Sequence, residues 1–196
     1  MAVEKARANN MPVDNIKRAI GRASGAAGER EIEELRYEGY GPAGVAVLID
    51  AATDNRNRTA SELRFIFSRN GGSLGETGTV GWMFDSRGLM EVDSTLGEDE
   101  LTERALVDGV VDVRYGEPTE IVTEPASLGS VREALSSLGL RVTAAHLGFE
   151  ATTHVAPHGE DLVRVMTFLD ALEEHEDVQR VYSNVDVDEA QLEALA

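Results

Sequence analysis

The chain has 196 residues, no cysteine and a formal net charge of −18 at pH 7. This length predicts one large domain or about two to three small ones, and a hydrophobic share of 42% is sufficient for folded cores, which excludes wholesale disorder. The lack of cysteine excludes disulfides, thiolate metal sites and cysteine nucleophiles, and no apolar run approaches the roughly 20 residues of a membrane span.

The amino-terminal part of the chain is predicted to be helical. Residues 2–22 favour helix, with an interruption before Pro12, which suits the first turn of a second helix. Apolar side chains recur at helical spacing from Ile16 to Ile20, so one face of this second helix is apolar. Residues 24–28 are rich in glycine and alanine and indicate a linker.

A buried strand is predicted over residues 45–49, which form an unbroken apolar run. It follows the acidic residues 31–36 and a glycine-punctuated loop over residues 37–44. A second strand is predicted over residues 80–84. With the helix between them, these strands predict a β-α-β unit over residues 45–84.

The helix of this unit carries signals for its start and its end. The sequence Thr-Ala-Ser-Glu at residues 59–62 matches a capping box, in which the threonine hydroxyl and the glutamate carboxylate satisfy free backbone amides. The helix is predicted to run to about Asn70, and Gly71 is expected to adopt the left-handed conformation of a C-terminal cap.

The second half of the chain repeats strands and helices in the order β-α-β-β-α-β, which is typical of the ferredoxin-like arrangement. These elements are predicted at residues 88–92, 99–107, 110–115, 120–123, 128–138 and 143–155. A helix at residues 161–174 and a strand at 178–185 are left over, and we expect them to return and complete the first β-α-β unit. The predicted class is therefore α+β, with one α+β module inserted into another.

The negative charge is distributed unevenly. Residues 1–71 hold 11 basic and 10 acidic side chains, whereas residues 72–196 hold 7 basic and 26 acidic ones. The net charges are thus +1 and −19, and this asymmetry predicts surfaces with different partners. An acidic body that is simply well solvated is the alternative interpretation.

No residue pattern favours an enzyme. His154 and His158 are four positions apart, but Pro157 lies between them and no glutamate follows as a zinc-protease motif requires. No nucleophile elbow and no phosphate-binding glycine loop is present in the sequence. We therefore expect no catalytic residue, no metal, no cofactor and no small-molecule substrate. Because the amino terminus lacks the apolar core of a signal peptide, we expect a cytoplasmic protein without a membrane partner.

Two clusters of basic residues are candidates for nucleic-acid binding. Arg56 and Arg58 precede a predicted helix start, where unpaired amides and two guanidinium groups suit a phosphate. Tyr37 and Tyr40, in the preceding loop, offer faces for stacking. The alternative is that both arginines pair with neighbouring carboxylates, namely those of Asp50, Asp54 or Glu62. The second cluster lies on the first predicted helices and comprises Lys5, Arg7, Lys17, Arg18 and Arg22. The alternative interpretation of this cluster is ordinary solvated helix surface.

Several long segments resemble the YebC/PmpR family, which includes the mitochondrial translational activators of cytochrome oxidase. The segments occur in the family's order and span essentially the whole chain. They are Ala6-Arg7-Ala8-Asn9-Asn10-Met11-Pro12, Ile16-Lys17-Arg18-Ala19-Ile20, Tyr37-Glu38-Gly39-Tyr40-Gly41-Pro42, Thr53-Asp54-Asn55-Arg56-Asn57-Arg58-Thr59, Gly71-Gly72-Ser73-Leu74-Gly75 and Asp177-Val178-Gln179-Arg180-Val181-Tyr182-Ser183-Asn184.

The resemblance implies three domains and a role in gene expression. The expected domains are the remnant of an N-terminal helical domain at residues 1–24, a central α+β domain at 25–86 plus 157–196, and an inserted ferredoxin-like α+β domain at 87–156. Family members are described as cytoplasmic DNA-binding transcriptional regulators, and others as ribosome-associated factors that assist translation through proline-rich stretches. The implied partner is DNA, with ribosomal RNA and the ribosome as the alternative. The resemblance implies neither catalytic residues nor a cofactor.

The chain departs from the family at its beginning. Family members usually open with a Lys- and Arg-rich helical stretch, and we expect this chain to lack it. A large share of the phosphate contacts would then be missing, because each basic side chain on a phosphate contributes to affinity.

Overall fold

The computed structural model describes residues 32–93, 96–187 and 191. The chain divides into two compact units, one formed by the described residues of Met1–Gly81 and Val155–Ala196, the other by those of Trp82–His154. The helices predicted over residues 2–22 lie outside the described residues. Two separate antiparallel sheets with packed helices confirm the predicted α+β class.

The first unit is a four-stranded sheet with two helices. Its elements are β1 (Glu33–Tyr40), β2 (Ala46–Thr53), α1 (Arg56–Arg69), β3 (Ser73–Leu74), α4 (Glu160–Glu173) and β8 (Val178–Ser183). The strand order is β3-β1-β2-β8, and each neighbouring pair is antiparallel. Because β8 pairs with β2, the helix and strand predicted at residues 161–174 and 178–185 belong to this unit.

The core of the first unit lies between β2 and the two helices. Val47 and Ile49 of β2 pack against Phe67 of α1 and Phe168 of α4, whose rings meet edge to face with centroids 4.9 Å apart. The apolar run predicted as a buried strand is inaccessible along its whole length, which confirms that both of its faces are covered. A short 3-10 turn, Pro42–Gly44, connects β1 to this strand.

The segment before β2 differs from the prediction, since Tyr37 to Tyr40 belong to β1 and not to a loop. The sequence signal was weak because β1 contains charged residues and a glycine where apolar residues would indicate a strand. Gly39 is required by packing, because a Cβ there would lie 2.5 Å from Cε1 of Phe67 and 2.7 Å from the carbonyl oxygen of Ser73.

The predicted β-α-β unit over residues 45–84 is also wrong at its second strand. Gly81–Met83 is a 3-10 turn, and Phe84 begins a strand of the other sheet. The preceding loop is fixed by Glu38 of β1, whose buried carboxylate accepts hydrogen bonds from the backbone N–H groups of Gly78, Val80 and Gly81 at 2.8–2.9 Å. Residues 78–81 are therefore held to β1 by the carboxylate of Glu38, and not by the backbone pairing of a second strand.

The second unit has the element order β-α-β-β-α-β. Its elements are β4 (Phe84–Asp93), α2 (Glu98–Ala105), β5 (Val110–Arg114), β6 (Thr119–Thr123), α3 (Leu128–Ser137) and β7 (Arg141–Ala151). The strand order is β5-β6-β4-β7, again antiparallel throughout. The core is formed by apolar residues of the sheet and both helices, among them Met90, Ile121, Leu101 and Leu135. Among the described helices, none has the length and apolarity needed to cross a membrane.

Candidate nucleic-acid interface

Helix α1 begins three residues before its predicted capping box. Asn55 is the N-cap residue, and its side-chain oxygen accepts a hydrogen bond from the backbone N–H of Arg58 at 3.2 Å. Thr59 therefore lies within the first turn, and the capping box predicted at residues 59–62 is wrong. The end of the helix agrees with the prediction, because Gly71 has φ +79° and the N–H of Gly72 bonds to the carbonyl of Phe67.

Arg58 is held by a carboxylate from the far end of the chain. Its Nη2 atom lies 2.9 Å from both carboxylate oxygens of Asp177, and Asp54, Glu62 and Glu176 lie within 4 Å of the guanidinium. The hydrogen bond from this guanidinium to Asp177 raises the pKa of Arg58. The sequence left two alternatives for Arg58, namely a phosphate contact or an ion pair with a neighbouring carboxylate, and the structure shows the ion pair. Its main partner, Asp177, is not one of the carboxylates considered from the sequence.

Asp177 is buried, with 7% of its surface exposed. The Thr59 hydroxyl donates to Asp177 Oδ2 at 2.6 Å and lies 2.9 Å from the hydroxyl of Thr53. Burial raises the pKa of the Asp177 carboxyl, but hydrogen bonds from Thr59, Arg58 and Thr53 outweigh it and hold that pKa below its usual value. This network attaches the start of α1 to the segment that leads into β8.

One group among the described residues could hold a metal ion, because the ligand atoms of Glu62, His175 and Asp177 lie within 4.8 Å of one another. The same three residues are, however, joined to one another by hydrogen bonds. The N–H of Asp177 donates to Nδ1 of His175 at 3.1 Å, and Nε2 of the same ring lies 3.0 Å from Glu62. Because Arg58 and Thr59 already contact the oxygens of Asp177, a cation would have to displace a guanidinium that is itself positive.

Arg56 differs from Arg58 in its surroundings. It is the first residue of α1, its side chain is exposed, and it forms no ion pair with any described residue. Tyr37 lies beside it, because the Tyr37 hydroxyl donates to the carbonyl oxygen of Arg56 at 3.3 Å. Burial raises the pKa of this tyrosine. Arg56 thus presents a solvated charge at a helix start, where free N–H groups also favour an anion.

Tyr37 and Tyr40 do not form a common stacking surface. The two residues are three positions apart in one regular strand, so their side chains lie on opposite faces of the sheet. Tyr37 packs against the core beneath the helices, and both tyrosines are half-buried. The five basic residues of the second predicted cluster, Lys5, Arg7, Lys17, Arg18 and Arg22, lie outside the described residues.

The middle and the end of α1 carry exposed residues that were not among the predicted site residues. Arg64, Phe65 and Arg69 are exposed, with 62% of Phe65 accessible to solvent, and neither arginine has an ion-pair partner among the described residues. The helix carries four arginines and a single acidic residue, Glu62, within a chain of net charge −18. A charge count in a window of helix length would have found this cationic element.

Comparison with known proteins gives a consistent set of relatives. A family model described as the TACO1/YebC second and third domain matches residues 32–185. A probable transcriptional regulatory protein of Herpetosiphon aurantiacus is 46% identical over 199 residues, covering 100% of this chain and 79% of that protein. One from Symbiobacterium thermophilum is 47% identical over 194 residues, covering 97% and 80%. The crystal structure of a conserved hypothetical protein from Aquifex aeolicus superimposes with a TM-score of 0.85 at 42% identity, covering 96% of this chain and 79% of that chain.

Proposed function

The chain belongs to the TACO1/YebC family, and we propose that it regulates gene expression by binding nucleic acid, as a DNA-binding transcriptional regulator of the cytoplasm. The names of its relatives support regulation of transcription, and they give no support to the alternative of a ribosome-associated translation factor. The same names describe regulators and not enzymes, so the proposal assigns no catalytic residue.

The observation that carries the proposal is the charge of α1. Three of its arginines, Arg56, Arg64 and Arg69, are exposed and unpaired among the described residues, so their charge remains available to a ligand. A polyanion is repelled by an acidic protein unless positive charge is segregated on one surface. Helix α1 supplies that segregation, whereas the charged side chains of the neighbouring helix α4 are four carboxylates and a single arginine.

The predicted site residues take different roles in this proposal. Arg56 contacts a phosphate, and Tyr37 supports the backbone at that point through its hydroxyl. Arg58 is a positioning residue, because its guanidinium is committed to Asp177 and fixes the start of the helix. The basic residues of the second cluster, Lys5, Arg7, Lys17, Arg18 and Arg22, would add phosphate contacts.

Binding of the full chain to a labelled 30-base-pair DNA duplex tests the proposal. Fluorescence anisotropy should detect binding at 50 mM salt that weakens steeply by 200 mM, because phosphate contacts release counterions. The substitution Arg56→Glu should weaken binding by roughly tenfold, since it removes a phosphate contact and adds a repelling charge. Arg141→Glu makes the same charge change at a side chain that is 75% exposed in the second unit, and it should leave the affinity nearly unchanged.

Three results would contradict the proposal. The first is the absence of any binding to nucleic acid at low salt. The second is binding that does not respond to salt. The third is an equal loss of affinity in Arg56→Glu and Arg141→Glu, which would show that net charge alone decides and that α1 is not the contact surface.

A further inference from the structure

Phe65 is the most exposed aromatic side chain of the first unit's described residues, with 62% of its surface accessible. It lies near the middle of α1, on the side opposite to Leu63 and Phe67, which are buried in the core. We propose that this face of α1 binds single-stranded nucleic acid, with Phe65 stacking on an unpaired base and the adjacent arginines holding the phosphates. The inference rests on the proposed function, and it names the form of nucleic acid and the residues that bind it.

The surroundings of Phe65 suit such a ligand. Ser61 and Arg69 lie one helical turn before and after it on the same face, and Glu62 and Ser68 lie beside it. Arg64 directly precedes Phe65 and lies about 100° round the helix. All five are exposed. The guanidinium of Arg69 and the hydroxyl of Ser61 provide donors for phosphate and sugar oxygens next to a flat apolar surface for a base, and Arg64 adds a guanidinium at the flank. The Ser68 hydroxyl donates to the carbonyl oxygen of Phe65 at 3.1 Å.

The acidic side chain of α1, that of Glu62, lies beside Phe65 and contacts the start of the helix. Glu62 lies 3.0 Å from Nε2 of His175 and 3.9 Å from Nε of Arg58, so it belongs to the network at the start of the helix.

A groove of about 490 Å³ lies beside the end of α1. Its lining comprises residues 42–43 and 69–71, together with Asp161, Val163, Arg164 and Thr167 of α4. Because Arg164 lies within 4 Å of the carboxylates of both Glu160 and Asp161, the unpaired cation of this groove among the described residues is Arg69. A strand that runs along this face of α1 would meet the ring of Phe65 and, one turn further on, the guanidinium of Arg69. Arg56 lies about two and a half turns before Phe65 and therefore on the other side of the helix.

An unpaired base explains the exposed ring better than a duplex does. In a duplex each base face is covered by its neighbours, so a ring on the surface of a helix gains nothing beyond the phosphate contacts of the arginines. In a single strand the base faces are available, and stacking on aromatic side chains is tolerant of sequence because every base has such a face.

Anisotropy with the full chain and three probes tests this inference: a 12-nucleotide single-stranded DNA, the RNA of the same sequence, and the corresponding DNA duplex. We expect a single-stranded probe to bind more tightly than the duplex, and the tighter of the DNA and RNA arms identifies the natural source. Phe65→Ala should weaken single-strand binding by roughly 5- to 150-fold, the range for loss of one stacked base, and should affect the duplex little. Phe65→Tyr should retain the affinity.

Two controls separate stacking from other effects. Leu106→Ala truncates a side chain that is 72% exposed in the second unit, and it should leave all three affinities unchanged. Phe65→Leu keeps an apolar side chain without an aromatic face, so it should behave like Phe65→Ala if a base stacks there. Since Phe65 is largely exposed, these variants should keep the wild-type melting temperature and circular dichroism.

The inference is overturned if Phe65→Ala binds the single strands as tightly as the wild type, if Phe65→Leu retains the affinity, or if the duplex is preferred. Unchanged binding in Phe65→Ala would assign this face to a protein partner, while the proposed function would still stand. If the wild-type chain binds none of the three probes at low salt, the proposed function fails as well.

Discussion

Asp177 holds Arg58 across 119 positions of the sequence, with both carboxylate oxygens 2.9 Å from the same guanidinium nitrogen. The carboxylate is buried at the approach to β8, and the guanidinium belongs to the first turn of α1. The start of the candidate binding helix is therefore fixed by the last strand of its sheet. A charge that is already neutralised in this way contributes to position more than to binding.

We expect Asp177→Asn to lower the free energy of unfolding of the first unit by about 1–3 kcal/mol. The neutral amide loses the charge-assisted hydrogen bonds from Arg58 and Thr59. Its N–H₂ group is also a donor, and it would face the guanidinium and the hydroxyl, which are donors themselves. Hydrogen exchange of peptides from β2 and β8 measures the loss. Asp170→Asn, at an exposed position of α4, is the matched control and should change stability by less than about 0.5 kcal/mol. Equal effects in the two variants would contradict a special role for Asp177.

The carboxylate of Glu38 predicts a dependence of stability on pH. Burial raises its pKa, but three backbone N–H groups donate to it and hold the pKa below the ordinary value of 4.5. The folded state therefore prefers the ionised carboxylate, and its stabilising contribution is complete above the unfolded pKa and is lost as the pH falls through the folded pKa. We expect the unfolding free energy of the first unit to decrease below about pH 5.

The variant Glu38→Gln isolates this contribution. It should be less stable than the wild type at pH 7 by about 1–3 kcal/mol, because a buried acceptor is lost opposite three donors. The difference should shrink as the pH falls from 7 to 3, because the unfolded chain takes up a proton at Glu38 before the folded state does and the advantage of the charged carboxylate is lost. Glu76→Gln changes an exposed glutamate near the same loop and should show neither effect. A wild-type to Glu38→Gln difference that stays constant between pH 7 and pH 3 would contradict the assignment.

Local sequence patterns predicted the elements whose signals are contained in one segment. The apolar run at residues 45–49 is buried in β2, and the helical spacing of residues 161–174 corresponds to α4. The strand β1 was missed because Glu38, a charged residue, is buried there. Its compensation comes from amides some 40 positions later, which no local pattern displays.

The start of α1 was misplaced for a related reason. Asn55 and Thr59 are both suitable N-cap residues, so the sequence alone allows two starts. The choice depends on Asp177, which engages the Thr59 hydroxyl and leaves Asn55 to cap the helix. The same carboxylate also makes Arg56 and Arg58 different, although the sequence presents them as equivalent, because Asp177 pairs with Arg58 and leaves Arg56 exposed.

Gly41→Ala should destabilise the first unit. A Cβ at this position would lie 2.4 Å from Cε1 of Phe168, a fully buried ring, so the aromatic pair in the core would have to move. Overpacking of this kind typically costs about 1–3 kcal/mol, and hydrogen exchange in β2 would report it.

Gly129→Ala provides the opposite control. Gly129 lies in α3 with open space around its Cα, so alanine should stabilise the second unit by up to about 1 kcal/mol through its higher helix propensity. A Gly41→Ala variant as stable as the wild type would show that the core adapts to the extra methyl group.

The salt dependence of binding distinguishes the arginines of α1 from one another. Each arginine that contacts a phosphate of a single strand contributes about 0.7 to the slope of log K against log salt. Arg56→Ala, Arg64→Ala and Arg69→Ala should each reduce the slope by about that amount. Arg58→Ala should leave the slope nearly unchanged, because Asp177 already neutralises that guanidinium, but it should lower the stability of the first unit.

Anisotropy titrations between 50 and 200 mM salt provide the slopes, and hydrogen exchange of β8 provides the stability. If Arg58→Ala reduces the slope as much as Arg56→Ala does, the guanidinium leaves Asp177 when nucleic acid binds, and both arginines contact phosphates.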